Sequence, residues 1–223
     1  MSNVSLFEIM GPVMIGPSSS HTAGAEKLGK AASSIWGGSF DSVEFYLHGS
    51  FAKTYKGHGT DKALVAGILG MSADDERLRD SLRIAEESGI KVSFIEADLG
   101  EVHPNTVKIV LKQGDEILLT LMGSSIGGGN ILITEIDGSS LKISGQYPVI
   151  IATQKDTPGM VSKITGVIAK HQLNIATLEV SRESKGEKAT TVVEIDNAPE
   201  SSIVDELMSI ENIISVRVLN AFV

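Results

Sequence analysis

Three serines, a histidine and a threonine follow one another near the beginning of the chain, between Gly16 and Gly24. The five residues are Ser18, Ser19, Ser20, His21 and Thr22. The three serines precede a segment, 21–36, whose apolar residues have helical spacing and which begins with His21 and Thr22. Because the free N–H groups at a helix start favour an anion, the pattern predicts a cradle for a carboxylate or a phosphate. An ordinary helix cap formed by the serines is the alternative.

A second histidine, His58, has a glycine on each side, in the sequence Lys56-Gly-His-Gly-Thr-Asp. The glycines predict an open loop from which the imidazole can reach a ligand. Neutral histidine accepts a proton near pH 7, so His58 is a candidate general base, and Thr60 or Asp61 could orient its ring. A surface loop without function is equally compatible with this stretch.

A glycine-rich segment, Gly123 to Gly129 with the sequence GSSIGGG, stands between two predicted strands. We expect a loop whose backbone N–H groups are available to an anion. It is neither a dinucleotide-binding fingerprint nor a P-loop, because it precedes a strand and lacks the Gly-Lys-Ser/Thr ending. A fourth candidate is Lys155-Asp-Thr-Pro-Gly159, where Asp156 can cap a helix and the following N–H groups can face a small polar ligand.

Composition limits the possible functions. The 223 residues carry 19 basic and 28 acidic side chains, and the net charge of −9 argues against nucleic-acid binding. Cysteine is absent, which excludes disulfides, a thiol nucleophile and thiolate metal sites in this chain. No basic leader is seen in residues 1–20 and no apolar run is long enough to span a membrane, so we expect a cytoplasmic protein without a membrane partner.

The order of predicted elements indicates two domains, 1–145 and 149–223, separated by the breaker-rich segment Gly145-Gln-Tyr-Pro148. The first domain is predicted to be α+β with a mostly antiparallel sheet: helices over 21–36, 61–70 and 74–89, and strands over 42–49, 90–97, 106–112, 116–122, 131–137 and 141–144. The second has the order βαββαβ, which is the ferredoxin-like arrangement.

These motifs, in this order, resemble the beta subunit of iron-sulfur dependent L-serine dehydratase over Leu6 to Asn130. The segment from Val149 to Val223 is similar to an ACT domain, the amino-acid-sensing module with an Asp-x-Pro-Gly loop. The resemblance implies conversion of L-serine to pyruvate and ammonia. It also implies a 4Fe-4S cluster that acts as a Lewis acid and is ligated by a separate alpha subunit, in agreement with the absence of cysteine here.

The resemblance also assigns roles to residues. His58 matches the family's candidate base for the Cα proton, although single-chain relatives often have a second histidine where this chain has Gly59. Residues 18–22 would hold the substrate carboxylate. The cradle would be completed by Ser125, Gly127, Gly128 and Gly129.

In the ACT-like segment, the resemblance places an effector, serine or a related amino acid, beside a short loop and a facing strand. The residues concerned are Asp156, Pro158, Gly159, Met160 and Asn174. It further implies a homodimer through this domain, within a larger alpha-beta assembly.

Two rival interpretations stay open. The first domain also resembles the allosteric substrate-binding domain of some D-3-phosphoglycerate dehydrogenases, so the chain could be an amino-acid sensor without a catalytic share. An imidazole at His58 favours the enzyme, because an elimination needs a base. A hydrolase that uses Ser20 and His21 is disfavoured, because adjacent residues at a helix start diverge by about 100°.

Overall fold

The computed structural model describes residues 14–16 and 18–222. Leu6, where the family resemblance begins, and Pro17 therefore lie outside the described residues. The same is true of most of residues 1–20, over which no leader is expected. Contacts divide the chain into two compact units, of which the first ends at Gly138 and the second begins at Ser139.

The first unit combines four α-helices and a 3-10 helix with five strands in the described part. The helices are α1 (Ala23–Trp36), α2 (Gly49–His58), α3 (Thr60–Ile68), the 3-10 helix (Glu76–Asp80) and α4 (Ser81–Glu87). The strands are β1 (Ser42–Leu47), β2 (Lys91–Glu96), β3 (Thr106–Gln113), β4 (Glu116–Gly127) and β5 (Asn130–Ile136).

The strands of this unit are ordered β2-β1-β3-β4-β5. Only the β1–β2 pair is parallel, and the other pairs are antiparallel, so the predicted mostly antiparallel sheet is confirmed. In β1 the alternation is as predicted, with Val43, Phe45 and Leu47 fully buried. These side chains belong to the face of the sheet that forms the core.

Helices α1 and α3 cross at very short distance because each has a glycine at the contact. A Cβ on Gly29 would lie 2.1 Å from the carbonyl oxygen of Leu64, and one on Gly67 would lie 2.0 Å from that of Glu26. Any side chain at either position would force the helices apart. This close crossing fixes the start of α1 relative to the α2–α3 connection.

Three expectations for this unit were wrong in detail. The region of His58 is not an open loop: α2 runs to His58, Gly59 ends it with φ 72°, and α3 begins at once. The helix predicted over 74–89 is divided into the 3-10 helix and α4. Strand β4 continues to Gly127, so most of the expected glycine-rich loop is paired strand.

The second unit contains β6 (Ser139–Ile143) followed by the predicted βαββαβ order. Its elements are β7 (Val149–Lys155), α5 (Met160–Lys170), β8 (Ile175–Arg182), β9 (Lys188–Ile195), α6 (Ser202–Met208) and β10 (Ile213–Leu219). The strand order β10-β7-β9-β8 is antiparallel throughout and is that of a ferredoxin-like sheet. Both helices pack on one face, where Ile150, Ile164 and Ile203 are fully buried.

Among residues 14–16 and 18–222, no helix has both the length and the apolar character needed to cross a membrane.

Candidate functional site

The imidazole of His21 is the centre of a polar cluster between the start of α1 and one face of α2. Its Nδ1 lies 3.3 Å from the hydroxyl oxygen of Ser18. Its Nε2 lies 3.3 Å from Ser50 Oγ and 3.2 Å from Thr54 Oγ1. Ser50, Thr54 and His58 are spaced four residues apart, which places them on the same side of α2.

His58 is the third residue of that helix face to meet His21. The two ring centroids are 4.7 Å apart with an interplanar angle of 83°. Phe51 contacts the His21 ring from the same helix at 5.3 Å between centroids. The first and second sequence motifs are therefore in direct contact, although they are more than thirty positions apart in the sequence.

The two histidines differ in environment. His21 is only 8% exposed, whereas His58 is exposed at the last residue of α2. Burial, with a smaller contribution from the charge of His58, lowers the pKa of His21 below its ordinary value. His21 is thus neutral near pH 7, and His58 is the imidazole of the pair that meets solvent.

Ser125 joins the third motif to the first. It is fully buried in β4 against the first turn of α1, and a Cβ on Gly24 would lie 2.0 Å from Ser125 Oγ. Within the described residues this hydroxyl has no hydrogen-bond partner. Its backbone N–H is not free for an anion, contrary to expectation, because it donates to the carbonyl of Asn105 at 3.0 Å.

The connection from β4 to β5 is much tighter than the expected anion-binding loop. Gly127 pairs with Asn130, and Gly127, Gly128 and Gly129 have φ values of 106°, 61° and 79°. Only glycine adopts such a run without strain. Ile126, immediately before the turn, is 50% exposed.

The serines before α1 do not cap it with their side chains. The N-cap is Thr22, without a side-chain capping bond, and the backbone carbonyls of Ser18 and Ser19 accept from the N–H groups of Thr22 and Gly24. A turn of backbone already precedes α1, so the expected serine cap is not needed. The hydroxyl of Thr22 is instead buried and without a partner in the described part of the chain.

The two residues expected to orient His58 are directed elsewhere in the structure. Thr60 is fully buried and its hydroxyl lacks a partner among residues 14–16 and 18–222. The carboxylate of Asp61 accepts from the backbone N–H of Lys62 at 2.8 Å, and burial raises its pKa. No hydrogen bond between either side chain and His58 is present in the described structure.

Sequence reasoning missed Ser50, Thr54, Asn105 and Glu26. The i, i+4, i+8 spacing of Ser50, Thr54 and His58 would have placed them on one face of a helix, but only if α2 had been predicted. Asn105 follows Pro104, whose carbonyl accepts from Ser50 N at 2.7 Å. The side-chain Oδ1 of Asn105 is buried and has no hydrogen-bond partner among the described residues. Glu26 is 4% exposed, and burial raises its pKa to about 7.

Two of the candidate effector residues of the second unit, Asp156 and Asn174, already form side-chain hydrogen bonds within that unit. The Asp156 carboxylate accepts from Gly186 N at 3.0 Å and from Arg182 at 3.4 Å, and the Gly186 N–H lowers its pKa. It therefore does not cap α5, whose N-cap is Gly159 with φ 86°. Asn174 donates to Asp196 Oδ2 at 2.8 Å, while Met160 is buried at the start of α5.

A thiolate-ligated cluster does not fit the residues of this chain. The sequence has no cysteine, and the described residues contain no group of three or more His, Asp or Glu side chains that could hold a metal ion. The site therefore offers hydroxyls, an amide and two imidazoles, which are groups that bind a small polar molecule and move a proton.

Comparison with known proteins agrees with this architecture. The family model described as serine dehydratase beta chain matches residues 4–135, and the ACT domain model matches residues 149–212. The chain is 44% identical over 212 residues to the probable L-serine dehydratase beta chain of Bacillus subtilis, covering 95% of this chain and 96% of that protein. It is 39% identical over 218 residues to the L-serine dehydratase beta chain of Peptoniphilus asaccharolyticus, covering 97% and 98%.

A more distant similarity links the chain to D-3-phosphoglycerate dehydrogenase of Bacillus subtilis, with 25% identity over 88% of this chain and 37% of that protein. Fold and site together define an α+β protein with a ferredoxin-like second unit. The chain belongs to the serine dehydratase beta chain family and carries an ACT domain at residues 149–212.

Proposed function

We propose that this chain is the beta subunit of an L-serine dehydratase and that, with an alpha subunit, it converts L-serine to pyruvate and ammonia. The observation that carries the proposal is the convergence of the three motifs. His58 contacts His21, and Ser125 lies against the helix turn that begins after His21. Two full-length relatives bear the name of this enzyme's beta chain.

We assign the substrate carboxylate to the cluster at the start of α1. Buried hydroxyls without partners, those of Thr22 and Ser125, are costly unless a ligand satisfies them. An anion is favoured there by the helix N-terminus. Ser19 and Ser20 are half-buried beside these groups and complete the donor set, while Ser18, also half-buried, is engaged with His21.

We assign the removal of the Cα proton to His58. It is exposed at the end of α2, whereas His21 is buried and engaged by three hydroxyls, so of the two imidazoles only His58 is available to the Cα proton of a bound substrate. The proton moves from the substrate Cα to a ring nitrogen of His58, and the Cβ hydroxyl takes up a proton and departs as water, which leaves 2-aminoacrylate. The imine tautomer of this product then takes up one water and gives pyruvate and ammonia. The net reaction releases one pyruvate and one ammonia for each L-serine.

The 4Fe-4S cluster implied by the family resemblance belongs, in this proposal, to the alpha subunit. This chain provides no thiolate, so it should be inactive by itself. The cytoplasmic location expected from the sequence stays a prediction.

The ACT domain is proposed to bind serine or a related amino acid between Asp156 and Met160, and to form a homodimer. Strand β8 is at the edge of its sheet, and its side chains Leu178 and Val180 are 38% and 43% exposed. An apolar edge strand of this kind favours pairing with a second copy. Light scattering at micromolar concentration should give a dimer, and a monomer with and without serine would contradict this part.

The test of the main proposal is anaerobic co-expression with a cluster-bearing alpha chain. Purified complex should release pyruvate from L-serine, and neither chain alone should do so. An alpha chain that is fully active without this one would overturn the catalytic assignment. It would favour the alternative of a non-catalytic amino-acid-sensing subunit, which the similarity to D-3-phosphoglycerate dehydrogenase supports.

A further inference from the structure

We infer that His21 is a positioning residue, fixed as the neutral tautomer with its hydrogen on Nε2, and that it leaves the hydroxyl of Ser50 as a hydrogen-bond donor for the substrate. The assignment of the tautomer rests on hydrogen bonding alone. The role given to Ser50 rests on the proposed function.

The tautomer follows from Thr54. Its hydroxyl donates to the carbonyl of Ser50 at 2.8 Å, and a carbonyl can only accept. The single hydroxyl hydrogen is thereby used, so toward His21 Nε2, at 3.2 Å, the Thr54 oxygen can only accept. A bare Nε2 would face an oxygen lone pair at this distance, so Nε2 carries the hydrogen.

The bare nitrogen is then Nδ1, which accepts from the hydroxyl of Ser18 at 3.3 Å. Ser18 Oγ also accepts from the backbone N–H of His21 at 3.4 Å, so its donor and one acceptor position are used within the motif. Ser18 can therefore offer a ligand an acceptor but no donor. Among the predicted cradle residues, it suits an ammonium group better than a carboxylate.

Ser50 has the opposite character. Its oxygen, 3.3 Å from Nε2, shares the hydrogen of His21 as an acceptor, which leaves its own hydroxyl hydrogen without an acceptor in the described structure. Ser50 is half-buried, and its backbone N–H is held by Pro104 O, so its position is fixed. A fixed and unused donor one helical turn before Thr54 and two before His58 suits an oxygen of the substrate.

Acting through its neighbours, His21 holds Ser18, α2 and the ring of His58 in one arrangement. The titratable group that faces it is His58, at 4.7 Å between centroids, and its other neighbours are the three hydroxyls and Phe51. Both nitrogens of His21 are occupied, so the ring has no free hydrogen-bonding atom for substrate. The sequence-based role of His21 as a carboxylate ligand is replaced here by an indirect one.

Long-range proton–nitrogen NMR on the full beta chain, labelled at its histidines, tests the tautomer without the alpha subunit. His21→Gln identifies the His21 signals among those of the five histidines. We expect the pattern of a neutral ring protonated at Nε2, persisting to about pH 6.5, the ordinary pKa of histidine. A ring protonated at Nδ1, or a doubly protonated ring at that pH, would overturn the inference.

Kinetics of the alpha-beta complex test Ser50. Ser50→Ala should raise the KM for L-serine by about 10-fold or more through loss of one hydrogen bond to a charged or polar substrate oxygen. Ser33→Ala is the matched control, because Ser33 donates to a carbonyl of its own helix and contacts none of these groups. An unchanged KM in Ser50→Ala would refute the donor role.

His21→Asn and His21→Gln separate positioning from mere packing. Glutamine can place an amide N–H near the Nε2 position, so it should retain more activity than asparagine. Because His21 acts through Ser50, Ser50→Ala should add little to the KM of His21→Asn. Full additivity would contradict the indirect role. Failure of the wild-type complex to act on L-serine would count against the proposed function, while the NMR result would still decide the tautomer.

Discussion

Gly24 and Ser125 approach so closely that a single added carbon at Gly24 would overlap the serine hydroxyl, with only 2.0 Å between a Cβ and Ser125 Oγ. The two residues are a hundred positions apart in the sequence, on α1 and β4. Their contact places a buried hydroxyl without a partner at the start of a 14-residue helix. This relationship makes the glycine a requirement of the site as well as of the fold.

Gly24→Ala should therefore impair the complex although alanine is the better helix former. We expect the displaced Ser125 to raise the KM for L-serine at least 10-fold and the overlap to cost about 1–3 kcal/mol of unfolding free energy. Steady-state kinetics and urea unfolding measure the two effects. Gly166→Ala in α5 is the control: a Cβ there meets nothing within 4 Å, so it should stabilise by about 0.5–1 kcal/mol. Equal behaviour of the two variants would refute the steric argument.

Ser125→Ala should separate stability from function. Removing a buried hydroxyl that lacks a partner should leave the unfolding free energy unchanged or raise it by about 1 kcal/mol. The same change should raise the KM about 10- to 100-fold, as loss of a hydrogen bond to a carboxylate does.

The neighbouring Ser124 provides the control for this prediction. Its hydroxyl pairs with Thr106 Oγ1 at 2.7 Å, so Ser124→Ala should cost about 1 kcal/mol of stability with a smaller effect on KM. Thermal unfolding and kinetics of both variants give the comparison. A destabilised Ser125→Ala with normal KM would show that Ser125 is structural.

His58→Ala should lower kcat of the alpha-beta complex by about 100- to 10,000-fold, the usual contribution of a general base. The fold should be unaffected, since His58 is exposed at a helix end. Lys53→Ala, at an exposed position of the same helix, should retain normal activity. Full activity of His58→Ala, with cluster content equal to wild type, would eliminate His58 as the base.

Glu26 should make stability depend on pH. Burial raises its pKa from an ordinary 4.5 to about 7 against the opposing charges of Lys30 and Lys27, with Asp74 adding to the rise. Between pH 4.5 and about 7 the Glu26 carboxyl is therefore protonated in the folded state and ionised in the unfolded state. The free energy of unfolding should fall as the pH rises through this range. The full difference is about 3 kcal/mol.

Glu26→Gln should abolish this slope and be more stable than wild type above pH 7, as measured by urea unfolding at a series of pH values. Exposed Glu116→Gln should keep the wild-type slope. Equal pH dependence of wild type and Glu26→Gln over this interval would show that Glu26 is not protonated in the fold.

Several features could be predicted from local sequence because they depend on short-range patterns. The alternation of Val43, Phe45 and Leu47 predicted β1 and its buried face, and the βαββαβ order predicted the ferredoxin-like unit. Helix α2 was missed because Gly57 and Gly59, on either side of His58, suggested a loop. Its stability comes instead from packing, with Phe51 fully buried against the His21 ring and with α3 and β3 as neighbouring elements.

By itself the sequence determined the types of chemistry available and the order of the elements, because composition and periodicity are properties of neighbouring residues. It identified the serine cluster, His58 and Ser125, and it excluded a thiolate cluster from this chain. Only the tertiary structure decided which of these groups meet. The crossing of α1 and α3 at Gly29 and Gly67, and the paired strand β4, bring distant residues together through contacts that no local pattern encodes.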